Sequence, residues 1–145
     1  MEIYSIGFTQ KSAGDFFGAL KSHGIERLLD VRLNNTSQLA GFAKQSDLPF
    51  FLREICGIDY EHEPLLAPTQ QMLDEFKKLK GSWDIYTDAY LSLIASRRVE
   101  SVLSKDSFLK KTVLLCSEST AEHCHRRLAL EYMQRHWEGV IIRHL

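Results

Sequence analysis

Apolar positions along the chain change period in a regular way. Ile3-Tyr4-Ser5-Ile6 is a short, mostly apolar run ending at Gly7, and Arg27-Leu28-Leu29-Asp30-Val31 is another. Between them Phe16, Phe17 and Leu20 recur at helical spacing. Ser12-Ala13-Gly14-Asp15 approximates a capping box, in which a hydroxyl caps the third amide and an acid reaches back. Gly24 supplies the left-handed stop. Strand, helix and strand within about 30 residues predict a βαβ unit with parallel strands.

The alternation continues. Asn34 to Gln45 reads as a long polar loop, and Ser46 or Asp47 opens a helix through Pro49, Leu52 and Ile55 that stops at Gly57. Ile58 to Glu61 is a third strand, closed by Pro64 and Pro68. Thr69 caps a helix carrying Met72, Leu73, Phe76 and Leu79, which ends at Gly81. Ser82 opens another with Ile85, Ala89 and Leu93, and Val99, Val102 and Leu103 lie beyond a break. Lys111 to Cys116 is the fourth strand, and Gly139 to Ile142 the last. Ser119-Thr120-Ala121-Glu122 is a second capping box and predicts a helix to about His136. No internal repeat interrupts the pattern. It predicts one α/β domain over residues 1–145, a three-layer sandwich with a mostly parallel sheet of about five strands and helices on both faces.

Composition narrows the partners. With 44% apolar and 26% charged residues, the chain can bury an ordinary core without a metal or disulfide. A net charge of -1 does not support a nucleic acid as partner, since such binders usually carry a basic excess. No apolar run reaches the ~18 residues of a membrane span, and the first residues lack the pattern of a signal peptide. Cys56, Cys116 and Cys124 do not form a disulfide framework, so a reduced, cytoplasmic setting is expected.

In a parallel sheet all strand ends face one way, and ligands collect beyond the carboxyl ends. The expected rim holds Gly7-Phe8-Thr9, Asp30-Val31-Arg32, Glu61-His62, Cys116-Ser117-Glu118 and Arg143-His144. At ~100° per residue, Ala121, Cys124, His125, Leu128, Ala129, Tyr132 and Met133 share one helix face. Cys124 and His125 then begin its buried stripe, Arg126 lies at the border, and His123 and Arg127 point to solvent. Asp30 and Arg32, two apart on a strand, point the same way. A thiol near helix amides and a guanidinium is held as thiolate, which singles out Cys116.

These residues carry a resemblance. Ser5-Ile6-Gly7, Leu29-Asp30-Val31-Arg32, Gly57-Ile58-Asp59-Tyr60, and Leu114-Leu115-Cys116-Ser117-Glu118 with Cys124-His125-Arg126 are similar to the pattern of domain-of-unknown-function family 488, over nearly the whole chain. The resemblance implies a compact α/β domain with those polar positions as its signature, and supplies no activity. The chain departs from the commoner pattern at Phe8-Thr9, where many relatives carry His-Ser, and at Leu33-Asn34-Asn35, which replaces a proline-containing stretch.

The reading that follows is a small enzyme, a thiol- or histidine-dependent hydrolase or transferase, acting at the carboxyl edge of the sheet on an anionic substrate: a phosphate-bearing group, a nucleotide or a nucleic acid. Cys116, Glu118, His125 and Asp30 are its candidate catalytic residues. Arg32, Arg126, Gly7 and Thr9 are the candidate substrate contacts, aided by the helix N-terminus after Ser119. No cofactor is required. The alternatives are a non-catalytic nucleotide- or protein-binding module, with Tyr86, Tyr90 and Trp83 either in its contact surface or in the core, and a zinc site built from Cys116, Glu118, Cys124 and His125.

Overall fold

A computed structural model describes residues 1–36 and 41–145. The expected loop from Asn34 to Gln45 falls partly outside them. Its strands are β1 (Glu2–Gly7), β2 (Arg27–Asp30), β3 (Asp59–His62), β4 (Thr112–Cys116) and β5 (Ile141–His144). All pair in parallel in one sheet, in the order β3-β2-β4-β1-β5. The last strand begins later than its hydrophobicity predicts, because Gly139 takes φ +81 in the turn before it.

Helix α1 (Ala13–Ser22) starts where Ser12 accepts the Asp15 amide, and Gly24 follows it at φ +66. The second helix, α2 (Leu48–Phe51), runs on as a π-helical turn through Cys56. Asp47 stands at its cap position without a side-chain hydrogen bond. Thr69 caps α3 (Gln70–Leu73), which widens into a π turn through Lys78, and Ser82 caps α4 (Trp83–Ser96). Arg98, in a left-handed conformation, makes the break before α5 (Val99–Val102). The last helix is α6 (His125–His136). None of the described helices is long and apolar enough to cross a membrane.

Three layers result. Alternate residues of a strand point to opposite faces, and the sheet divides accordingly. Val113 and Leu115 of β4 pack with Phe16, Phe17, Leu20, Leu48 and Leu52 of α1 and α2. Leu114 and Cys116 pack with Tyr86, Tyr90, Leu128, Ala129 and Tyr132 of α4 and α6. β1 and β4 lie side by side with Gly7 opposite Cys116, while the helices that leave them, α1 and α6, cover opposite faces. Diverging connections of this kind open a crevice at the carboxyl edge.

Candidate active site

Cys116 is the last residue of β4, and its side chain faces α4 and α6. The chain does not turn into a helix at Ser119. It runs as a loop to Cys124, whose extended backbone (φ -137, ψ 139) caps α6 without a side-chain bond. Tertiary contacts overrule the second capping box. The Thr9 amide donates to the Ser117 carbonyl at 3.1 Å, Arg126 Nη1 to the Glu118 carbonyl at 2.8 Å, and Lys11 Nζ to the Ser119 carbonyl at 3.4 Å. Gly7 makes this possible. A Cβ there would stand 1.6 Å from the Glu118 carbonyl oxygen. Gly7 and Thr9, expected to touch substrate, hold the loop in place.

The delayed helix start puts Cys124 and His125 beside Cys116. The thiol sulfurs and an imidazole nitrogen of Cys116, Cys124 and His125 lie within 4.8 Å of one another, and all three residues are buried. His125 Nε2 sits 2.8 Å from the Val31 carbonyl. A carbonyl only accepts, so Nε2 carries the hydrogen and Nδ1 of the neutral ring is left with a lone pair. Cys116 Sγ is 3.6 Å from Nδ1 and 3.8 Å from Nε2. The near-equal distances place the sulfur beside the ring without aligning it on one nitrogen, and a small rotation brings thiol and Nδ1 into line.

The two thiols are pushed apart in acidity. The Cys124 S–H holds the Cys116 thiol below its ordinary value against the opposing effect of burial, and the Arg126 guanidinium and the Ser117 and Glu118 amides add to it. Cys124 is pushed far up, first by donating to Cys116 and then by burial. Cys116 is therefore the more acidic of the two thiols.

Arg126 is fully buried. Nε donates to Ser5 Oγ at 3.2 Å and Nη1 to the Glu118 carbonyl, while Nη2 is buried without a hydrogen-bond partner. It has no carboxylate partner among the described residues. Arg126, expected to contact the substrate, is an interior cation whose charge acts on the Cys116 thiol. Burial and this same charge hold Lys11 and His144 below their ordinary values.

Asp30 does not join the site. It pairs with Leu115, so it shares Leu115's face of the sheet, and Cys116, one residue further, points to the other face. Asp30 is fully buried and accepts from Arg32 Nε and Nη2 at 2.8 Å each and from the Tyr60 hydroxyl at 2.6 Å. Arg32 also donates to the Ala43 carbonyl at 2.8 Å and reaches the rim of the site with its charge already paired. Glu118 turns outward into an ion pair with Lys77, both being nearly half exposed, and stands apart from the thiol–imidazole cluster.

A cavity of about 90 Å³ opens on Cys116. Arg32, Leu33, Asn34, Pro68, Phe76, Lys77, Tyr86, Glu118, His123 and both cysteines are among the residues that line it, with His125. Tyr86 and Tyr90 are core residues, as one reading of the aromatic positions held, and Tyr86 is also a cavity wall. It stacks on Trp83 with centroids 5.2 Å apart. His123 is exposed, as its helix-face position predicted, yet lines the cavity and lies 4.9 Å from the Trp83 ring. Sequence reasoning missed Phe76, Lys77 and Pro68. They arrive from the segment before α4, and no local pattern ties that segment to β4.

Residues 12–133 match the family model described as Domain of unknown function DUF488. The chain belongs to that family. No curated protein and no solved structure matches it. The DUF488 match spans Asp30, Arg32, Cys116, Glu118 and Cys124 to Arg126 and begins after Gly7 and Thr9.

Proposed function

We propose that this DUF488 protein is a small thiol-dependent transferase or hydrolase in which Cys116 is the nucleophile and His125 moves the proton. The contact between the Cys116 sulfur and the His125 ring, at the floor of a cavity, carries the reading. The Cys116 thiol passes its proton to His125 Nδ1, its sulfur bonds to an electrophilic carbon or phosphorus, and the leaving group departs with that proton. Water or an acceptor then attacks the adduct, gives its proton back to His125, and frees the thiolate. The 90 Å³ cavity admits only a small reacting group. An anionic end of the substrate, phosphate-bearing or nucleotide, would meet Lys77 and His123 at the mouth beside Phe76 and Tyr86. Lys77 can exchange Glu118 for such a group at small cost, because exposed ion pairs are weak.

The test is alkylation across pH with iodoacetamide, with Cys56 as internal standard. Cys56 is half-buried and its thiol is held up by burial. Cys116 should react faster, with a midpoint below the ordinary thiol value of about 8.5. A Cys116 no faster than Cys56 defeats the nucleophile and favours a binding module.

The cluster itself favours a second reading. Cys116, Cys124 and His125 can hold a zinc ion, with the His125 Nε2–H on the Val31 carbonyl as the outer contact that metal-ligating histidines commonly make. Glu118, the expected fourth ligand, is occupied by Lys77. Stoichiometric zinc in untagged protein purified without chelator, with Cys116 protected from alkylation, would establish this reading. Metal-free protein with a reactive Cys116 would remove it.

A further inference from the structure

Cys124 takes no covalent part in nucleophilic attack by Cys116. It is nevertheless buried against Cys116 and opens on the same cavity. The remaining cysteine, Cys56, lies in the other core, near the Phe17 carbonyl. We infer that Cys116 and Cys124 form an internal dithiol–disulfide couple, in which Cys124 resolves a Cys116 that a hydroperoxide has oxidised. The inference rests on the nucleophilic reading of Cys116 and adds a redox partner to it.

The chemistry balances with one hydroperoxide. Cys116 sulfur attacks one peroxide oxygen, the S–O bond forms and the O–O bond breaks. The departing alkoxide or hydroxide takes a proton and leaves as an alcohol or water. Cys116 is then a sulfenic acid, oxidised by two electrons, and the peroxide is reduced by two. Cys124 sulfur attacks Cys116 sulfur, the S–S bond forms, and the S–O bond breaks. The oxygen leaves as water with the Cys124 proton, which His125 at the cluster can relay. Two molecules of a small external thiol restore both cysteines by successive exchange through the cavity and leave as their own disulfide. Two sulfurs held this close gain the rate advantage of an intramolecular reaction. Cys124 therefore outcompetes further oxidation of Cys116 by peroxide.

The sequence supplies a clean readout. Trypsin cuts after Lys111 and Arg126, so one peptide, Thr112 to Arg126, carries both cysteines, and Cys56 falls in another. Reduced full-length protein, freed of metal with a chelator, is given one equivalent of hydrogen peroxide, alkylated with iodoacetamide and mapped by mass spectrometry. The expected result is that peptide lighter by two hydrogens and without alkyl groups, with Cys56 fully alkylated. Cys124→Ser should convert the product into a Cys116 sulfenate that dimedone captures, whereas wild type gives no adduct. A wild-type Cys116 sulfenate or sulfinate beside an alkylated Cys124 overturns the couple, as does oxidation of Cys56 first. Should Cys124→Ser fail to fold, the wild-type peptide alone decides, and Cys124→Ala repeats the capture. Iodoacetamide on the reduced protein separates the two proposals. Rapid alkylation of Cys116 without disulfide formation removes only the couple, and a Cys116 inert to both reagents removes both.

Discussion

Two buried arginines sit near the same edge of the sheet and have opposite circumstances. Arg32 meets Asp30 through two parallel hydrogen bonds, and Tyr60 and the Ala43 carbonyl satisfy what remains. Arg126 meets only a hydroxyl and a carbonyl, keeps one nitrogen unpartnered, and lies beside a thiol. A buried cation needs compensation. The first receives it from a fixed carboxylate and becomes part of the scaffold. The second has no carboxylate partner among the described residues, and its charge favours the ionised form of the Cys116 thiol. An arginine near a candidate site is therefore informative through what neutralises it.

Breaking the paired side should have the largest effect. Asp30→Asn leaves Arg32 buried without its counter-charge, and unfolding in urea should show a loss of about 3–5 kcal/mol. A loss below about 1 kcal/mol would mean that Arg32 does not depend on Asp30. Gly7→Ala comes next. Its methyl group displaces the Glu118 carbonyl that Arg126 holds, at roughly 1–3 kcal/mol or more. It should also slow Cys116 alkylation, because the loop amides move with that carbonyl.

The unpaired side responds differently. Arg126→Met strands no acid, and its stability loss should stay near the ~1–3 kcal/mol of an unsatisfied Glu118 carbonyl. Its main effect is on titration. Arg126 lowers the Cys116 thiol, so removing it raises the midpoint of alkylation toward about 8.5 and slows the reaction at neutral pH. An unmoved midpoint would show that Cys124 and the amides alone stabilise the thiolate. The smallest effect belongs to Lys77→Gln, with stability changed by less than ~0.5 kcal/mol. The reaction of Cys116 with anionic iodoacetate should fall relative to iodoacetamide. An unchanged ratio removes Lys77 from anion recognition.

The number and parallel pairing of the strands were legible because short strand-like runs alternate with capped helices, as at Ser12, Thr69 and Ser82. Cys116, Cys124 and His125 were legible as neighbours because the first ends a strand and the others begin a buried helical stripe. What failed depended on register and on contacts from afar. Asp30 reads as a rim residue until its pairing with Leu115 places it on the opposite face from Cys116. Ser119 reads as a cap until Thr9, Lys11 and Arg126 claim the carbonyls around it, with Gly7 leaving the room. Arg126 reads as a substrate contact at the border of the stripe, because helical periodicity does not show how deeply it is buried. Only the loop folded over β1 closes it in.

The position of β4 has a mechanical consequence. It is the middle strand, bonded along both sides to β1 and β2, whereas the lip opposite Cys116 is the short π turn carrying Phe76 and Lys77. Amide hydrogens of Leu114 and Leu115 should be among the last to exchange with deuterated solvent, and those of Phe76 and Lys77 among the first. Molecules can then come and go by flexing the lip while the sulfur stays anchored to the stiffest part of the fold.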